Sequence, residues 1–152
     1  LIVGDGPQRA AILDRLDQLS LSDAAHLTGA VQPDQIPGWL ARMHVATAPY
    51  RGDQPFYFSP LKLYEYMAAG LPVVASDVGD LAQVLDRGRL GATVVPDDPD
   101  ALAAALAGLA RDPAAATAMG ARARAEVLAH HGWDRIVSRI IARAGAAGQE
   151  AA

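Results

Sequence analysis

Short β-branched runs alternate with longer amphipathic segments along this 152-residue chain, and that alternation constrains the fold more than any other feature. Leu1-Ile2-Val3 reads as a buried strand that ends in the turn Gly4-Asp5-Gly6-Pro7. A helix follows, with Ile12, Leu16 and Leu19 at i, i+4 and i+7 and Pro7 suited to its first turn. His26-Leu27-Thr28 reads as a short strand closed by Gly29, Pro33 to Met43 as a short helix with Ile36, Trp39 and Leu40 inward, and Val45 to Ala48 as a strand. After a polar loop from Pro49 to Tyr57, Ser59 is placed to cap a helix running from Pro60 to Ala69. Gly70 ends that helix and Pro72 prevents its continuation. Val73-Val74-Ala75 is a buried strand, Leu81 to Asp86 a short helix, and Ala92 to Val95 the last strand. Beyond Pro99 the pattern is helical. Leu102, Leu106 and Leu109 form one stripe, Asp112-Pro113 starts a second helix, and Trp133, Ile136, Val137, Ile140 and Ile141 line a third.

Strands that alternate with helices imply right-handed crossovers and a doubly wound parallel sheet covered on both faces. The fold class is therefore α/β with a helical C-terminal extension. Ligands of such sheets bind at the carboxyl ends of the strands, here the turns after Val3, Thr28, Ala48 and Ala75. The pattern shows no internal repeat and no internal domain boundary. One domain spans 1–144, and 145–152 reads as a frayed tail. An opening strand with no methionine before it suggests a fragment.

Composition excludes several functions. The chain has no cysteine, which removes disulfides and thiolate metal sites and fits a cytoplasmic origin. Its net charge of -4 argues against nucleic-acid binding. The apolar run Ala101 to Ala110 has about half the ~20 residues of a membrane span. His130 and His131 are adjacent and point in different directions, and none of the four histidines has metal-ligand spacing. Asp77 and Asp80 follow a strand, where helix capping suits them better than a phospho-acceptor role.

The chemistry concentrates between Phe58 and Ser76. A helix beginning near Pro60 aims its free N–H groups and the positive end of its dipole at the preceding loop. Pro60 has no N–H, so Leu61 and Lys62 are the backbone donors, and the Lys62 ammonium adds a full charge. Glu65, one turn on, can accept bonds from two neighbouring hydroxyls. That arrangement suits a nucleoside diphosphate. It equally describes a sheet-covering helix whose lysine and glutamate are merely solvated. The turn at Gly4 and Gly6 allows close backbone approach but lacks the third glycine of a dinucleotide fingerprint. Thr28-Gly29-Ala30-Val31 offers backbone groups that could read a base edge, or a plain strand-to-helix turn.

Gly4-Asp5-Gly6-Pro7, Leu27-Thr28-Gly29, Ala48-Pro49 and Ser59 to Ser76, in this order and spacing, resemble the family-four (group 1) glycosyltransferases. The resemblance covers nearly the whole chain. It implies the carboxy-terminal, Rossmann-like half of a GT-B fold without its first strand and helix, and retaining transfer from a nucleotide sugar with no metal or other cofactor. By resemblance, Glu65 binds the ribose, Leu61 and Lys62 approach the diphosphate together with Pro60, Ser59 and Phe58, and Thr28, Gly29 and Val31 approach the base, with Gly4 and Gly6 nearby. The family's first donor-site glutamate falls at Tyr57, a departure matching a variant branch with the local form Ser59-Pro60-Leu61-Lys62. An arginine and a lysine that clamp the diphosphate in the family lie upstream of the strand matching Leu1 and are not in this chain. The partners implied are a nucleotide sugar and an amino-terminal acceptor-binding domain, with membrane association open for the full protein. The isolated chain is then expected to be inactive. Tyr57 also motivates a second reading, a degenerate binding or scaffold module. A receiver-like or flavin-binding domain ranks below both, because the first strand ends in Gly4-Asp5-Gly6 and not in an acidic pair.

Overall fold

The computed structural model describes residues 1–53 and 60–150, with side chains as far as residue 144. It divides into two compact units, Leu1–Met43 and His44–Ala152, where the sequence pattern showed no boundary. The division falls between Met43 and His44, with no run of proline or glycine to announce it.

In the first unit, helix α1 spans Arg9–Gln18. Gln8 stands at its N-cap, so Pro7 belongs to the preceding turn and does not open the helix. Ile12 and Leu16 are half-buried, but Leu19 is exposed and no residue of α1 is fully buried. The expected strand at Leu1–Val3 reduces to isolated bridges, Ile2 to Leu27 in parallel and Gly4 to Gly29 antiparallel. Leu1 and Ile2 are exposed, so the run is not the buried strand its composition suggested. A single-residue bridge pairs too few groups to build a ladder. Residues Pro33–Gln35 form a 3₁₀ turn leading into α2, Ile36–Leu40. Leu40 is buried, while the half-buried Trp39 ring lies 5.7 Å from His26 and under the Arg42 guanidinium at 4.8 Å.

The second unit contains a parallel sheet of three strands in the order β1 (Ala46–Ala48), β2 (Val73–Ser76) and β3 (Ala92–Val94). Val74 pairs with Thr47 on one side and Ala92 on the other. All four residues of β2 are buried, and since consecutive residues face opposite sides, both faces of the sheet are covered there. Val95 lies beyond the last pair, Ser76 with Val94, and is exposed, so β3 stops one residue short of expectation.

Helix α3, Leu61–Ala68, connects β1 to β2 and buries Leu63 and Met67 at i and i+4. Its carboxyl end is a Schellman turn, with Gly70 N–H donating to the Met67 carbonyl and Leu71 N–H to that of Tyr66. Gly70 takes a φ of 77°, which is why the helix ends there. Helix α4 covers only Leu81–Val84. The expected extension to Asp86 fails because Asp86, Arg87 and Gly88 all adopt positive φ. Asp80 holds the N-cap position of α4 but makes no side-chain capping bond.

Helices α5 (Pro99–Arg111) and α6 (Pro113–His130) are capped by Asp98 and Asp112, which accept from Ala101 and Ala115 N–H. Leu102, Leu106 and Leu109 are half-buried on α5. Helix α6 buries Ala116, Gly120, Ala123 and Val127, a stripe of small residues, and packs against α3. Helix α7 runs Trp133–Glu150, so the backbone is helical through most of the segment expected to fray. Along it Ile136 is half-buried, while Trp133, Val137, Ile140 and Ile141 are exposed. No helix among the described residues is long and apolar enough to cross a membrane.

A Cβ on Gly120 would overlap the Gly70 carbonyl oxygen and lie 2.8 Å from its carbon, so α6 approaches this turn closely enough to require glycine. Overpacking against backbone costs about 1–3 kcal/mol, more than the roughly 1 kcal/mol that Ala gains over Gly in a helix. Gly120→Ala is therefore expected to lower stability, with a fall of several degrees in Tm by calorimetry. An unchanged or higher Tm would show that the turn yields freely.

Candidate functional site

Helix α3 presents its amino end at the carboxyl edge of the sheet, where β1 ends. Pro60 occupies the N-cap with φ -79° and ψ 61°, one position earlier than the N1 place expected for it. It is buried, has no N–H to leave unpaired, and its carbonyl accepts from Leu63 N–H at 2.8 Å. Among the described residues, no side chain caps the helix. The amides of Leu61 and Lys62 consequently have no acceptor among the described residues. Free N–H groups at a helix start carry its positive partial charge.

The Lys62 side chain runs along solvent, but its ammonium lies 4.6 Å from the centre of the Tyr50 ring. Partial burial there lowers its pKa below that of an ordinary lysine. The ring face returns about 0.5–1 kcal/mol to the cation. No carboxylate among the described residues pairs with Lys62, and Glu65, three residues on, stays beyond ion-pair distance. Glu65 is exposed and holds no hydrogen bond through its carboxylate among the described residues. Among the described residues, the helix thus offers two open donors, a cation without an ion pair and, one turn on, a carboxylate without one.

Behind this helix start, the loops after the three strands are tied together. Tyr50 N–H donates to Ser76 Oγ at 2.9 Å, joining the ends of β1 and β2. Gly52 N–H donates to Asp97 Oδ2 at 2.8 Å, joining the ends of β1 and β3. Arg51 is forked onto Asp53, which holds the Asp53 carboxyl below its ordinary range. Burial, with Tyr66 nearby, raises the Tyr50 phenol, which therefore stays neutral. Tyr50 and Asp97 were missed by the sequence reading, whereas Ser76 closes both the segment it singled out and β2. The available signal was position, since each follows a strand of the parallel sheet.

Pro60, Leu61, Lys62 and Glu65 are thus brought together on one helix turn and a half. Tyr57, Phe58 and Ser59 lie outside the described residues. The remaining candidates belong to the first unit. There, Gly4 N–H is shared between the Gly29 carbonyl at 3.1 Å and Thr28 Oγ1 at 3.2 Å, so the two predicted turns meet. Gly4 and Gly29 have φ of 125° and 69°, conformations that favour glycine. Gly6 N–H is taken by Asp5 Oδ1, and Val31 is half-buried just past the second turn. No group of three histidine or acidic side chains among the described residues could hold a metal. His130 lies 3.8 Å from Glu126, and the His131 ring packs at 4.8 Å on Tyr64.

A three-stranded parallel sheet wrapped by helices, with a charged helix start at its carboxyl edge, defines a Rossmann-like half of the GT-B type. Residues 1–112 match the family pattern of the group 1 glycosyl transferases, and the chain belongs to that family. An exopolysaccharide phosphotransferase of Streptomyces coelicolor is 33% identical over 143 residues, which are 93% of this chain and 14% of that protein. The lipopolysaccharide core mannosyltransferase LpcC of Rhizobium leguminosarum is 38% identical over 120 residues, 79% of this chain and 32% of that protein. Among solved structures, Anabaena HepE in complex with UDP-glucose superposes with a TM-score of 0.80 at 21% identity, covering 95% of this chain and 40% of that one. The chain therefore spans well under half the length of each of these proteins.

An anion bound at Leu61 and Lys62 would favour the charged lysine and raise its lowered pKa, so binding is accompanied by proton uptake. If a nucleoside diphosphate binds there, its affinity should fall as pH rises through the pKa of free Lys62, and Lys62→Gln should flatten that fall. Titrations of UDP from pH 7 to 10 measure it, and an equal slope in both proteins would remove Lys62 from the site.

Proposed function

We propose that this chain is the donor-binding part of a retaining glycosyltransferase that uses a nucleoside-diphosphate sugar. The diphosphate sits at the amino end of α3 on the Leu61 and Lys62 amides and the Lys62 ammonium, while Glu65 accepts from the ribose hydroxyls. One observation carries the reading: two amides without acceptors, a cation and a carboxylate, neither ion-paired among the described residues, share the first turns of one helix. A nucleoside diphosphate needs both polarities at that separation. The proposal assigns the neutralising charge to Lys62 and the helix dipole, and it invokes no metal. UDP-glucose bound by HepE, and mannosyl transfer by LpcC, are the kind of chemistry the site would serve. The donor role of Gly4, Gly6, Thr28, Gly29 and Val31 rests on the resemblance alone and belongs to the same proposal.

Transfer needs an acceptor pocket and further cations on the leaving diphosphate, both of which the proposal assigns to a remainder of the protein outside these residues. Removing one such stabilising group typically costs 2.7–4 kcal/mol, about 10²–10³ in rate.

Glu65→Gln keeps the helix and removes the charge. A hydrogen bond to a charged group is worth about 1.5–3 kcal/mol, so affinity for UDP should drop roughly 10- to 100-fold by calorimetric titration. Full affinity in the variant would remove Glu65 from the site. The 152-residue chain alone should give no measurable transfer of radiolabelled sugar from UDP-glucose or GDP-mannose, and turnover by it would refute the division of labour proposed here.

A further inference from the structure

Among the described residues, the Lys62 ammonium is held by an aromatic ring and by no carboxylate, and the ring belongs to a residue that the fold fixes. We propose that Tyr50 is a positioning residue of the donor site, its ring face keeping the Lys62 ammonium in place for the diphosphate without neutralising it. The inference rests on the diphosphate reading at α3 and adds to it the group that prepares the lysine.

Rigidity of the platform supplies the first argument. Tyr50 lies two residues beyond the end of β1, and its N–H donates to Ser76 Oγ at 2.9 Å. Ser76 closes β2 and is 3% exposed, so this bond anchors the loop to a buried strand end. The Tyr50 side chain is half-buried and packs against the core cluster that contains Ala48, Leu63 and Met67. Backbone and ring are both fixed, and the Lys62 ammonium lies 4.6 Å from the ring centre. The contact therefore ties the start of α3 to the end of β1.

The second argument is what a lysine needs in order to bind an anion well. Its charge rides on a flexible four-carbon stem, and ordering that stem opposes binding unless it is ordered beforehand. A carboxylate would order the ammonium but would cancel its charge and compete with the incoming anion. An aromatic face attracts the cation through the ring quadrupole, leaves the charge in place and has no oxygen acceptor to occupy its three N–H donors. Tyr50 supplies such a face.

Two measurements on the full 152-residue chain test the role. Without ligand, ring current should displace the Lys62 side-chain methylene resonances upfield in proton NMR spectra. That displacement should persist in Tyr50→Phe, which keeps the ring, and vanish in Tyr50→Leu, which keeps apolar bulk against the core. Calorimetric titration with UDP should give nearly unchanged affinity for Tyr50→Phe and a loss of about 2- to 10-fold for Tyr50→Leu, the range for ordering one long side chain. In a Lys62→Gln background, Tyr50→Leu should have no further effect, whereas a merely structural loss would persist there. No upfield displacement in the unsubstituted chain, full affinity in Tyr50→Leu, or an equal loss with and without Lys62 would each overturn the positioning role and leave the diphosphate reading standing. Tighter binding in Tyr50→Leu would also overturn it, by showing that the ring withholds the lysine from the anion. If the amide resonances of Leu61 and Lys62 are silent toward UDP, the diphosphate reading fails and the positioning role with it.

Discussion

The turn at Gly70, where α3 gives way to β2, is the contact on which the rest of the second unit depends. Its two Schellman bonds close the helix, Arg124 of α6 donates to the Ala68 carbonyl, and Gly120 brings the α6 backbone against Gly70 itself. The next residues enter a strand with no exposed position. A helix of eight residues is about 12 Å long and rigid. Holding its carboxyl end against α6 and its Leu63 and Met67 face in the core therefore determines where its amino end points. The open amides of Leu61 and Lys62 owe their aim to a turn one helix length away.

That aim carries an electrostatic cost which the fold accepts. Lys62 is partly desolvated beside Tyr50 and has no counter-ion among the described residues, so its charged form is disfavoured relative to water. An i, i+3 contact with Glu65 would relieve part of this, yet both charges stay open. Functional sites are where such local inconsistencies are expected, because a group already paired with a neighbour cannot pair with a ligand. The same reasoning distinguishes Arg51, which is exposed and fully engaged with Asp53, from Lys62.

Much of the second unit was legible in the sequence because its signals are local. Pro72 and Gly70 mark a helix end, Asp98 and Asp112 each precede a proline at a helix start, and Val73-Val74-Ala75 is apolar on consecutive residues as a doubly covered strand must be. The failures share a different origin. Leu1-Ile2-Val3 has strand composition, but pairing depends on partners that composition does not report, and the structure forms single bridges there. The small-residue stripe of α6 has almost no apolar asymmetry, since alanine lies on its outer face as well. Its packing face is revealed only by the close approach at Gly120. In the site, Lys62 and Glu65 were readable from helix geometry. Asp97 was not, because its tie to Gly52 spans 45 positions and depends on strands lying side by side.

In the proposed site, the groups at the helix start would bind charge that the donor carries before any bond breaks. Interactions equal in ground and transition states raise affinity without raising the rate of the chemical step. In the proposed donor site, Leu61, Lys62 and Glu65 would meet a diphosphate and a ribose whose hydroxyls do not change during transfer. What changes is the charge on the leaving phosphate oxygen and on the ring carbon it leaves. The Lys62 ammonium, the one full positive charge among the proposed groups, sits over the Tyr50 ring. On the proposed reading, these residues would serve capture and orientation of the donor more than the chemical step.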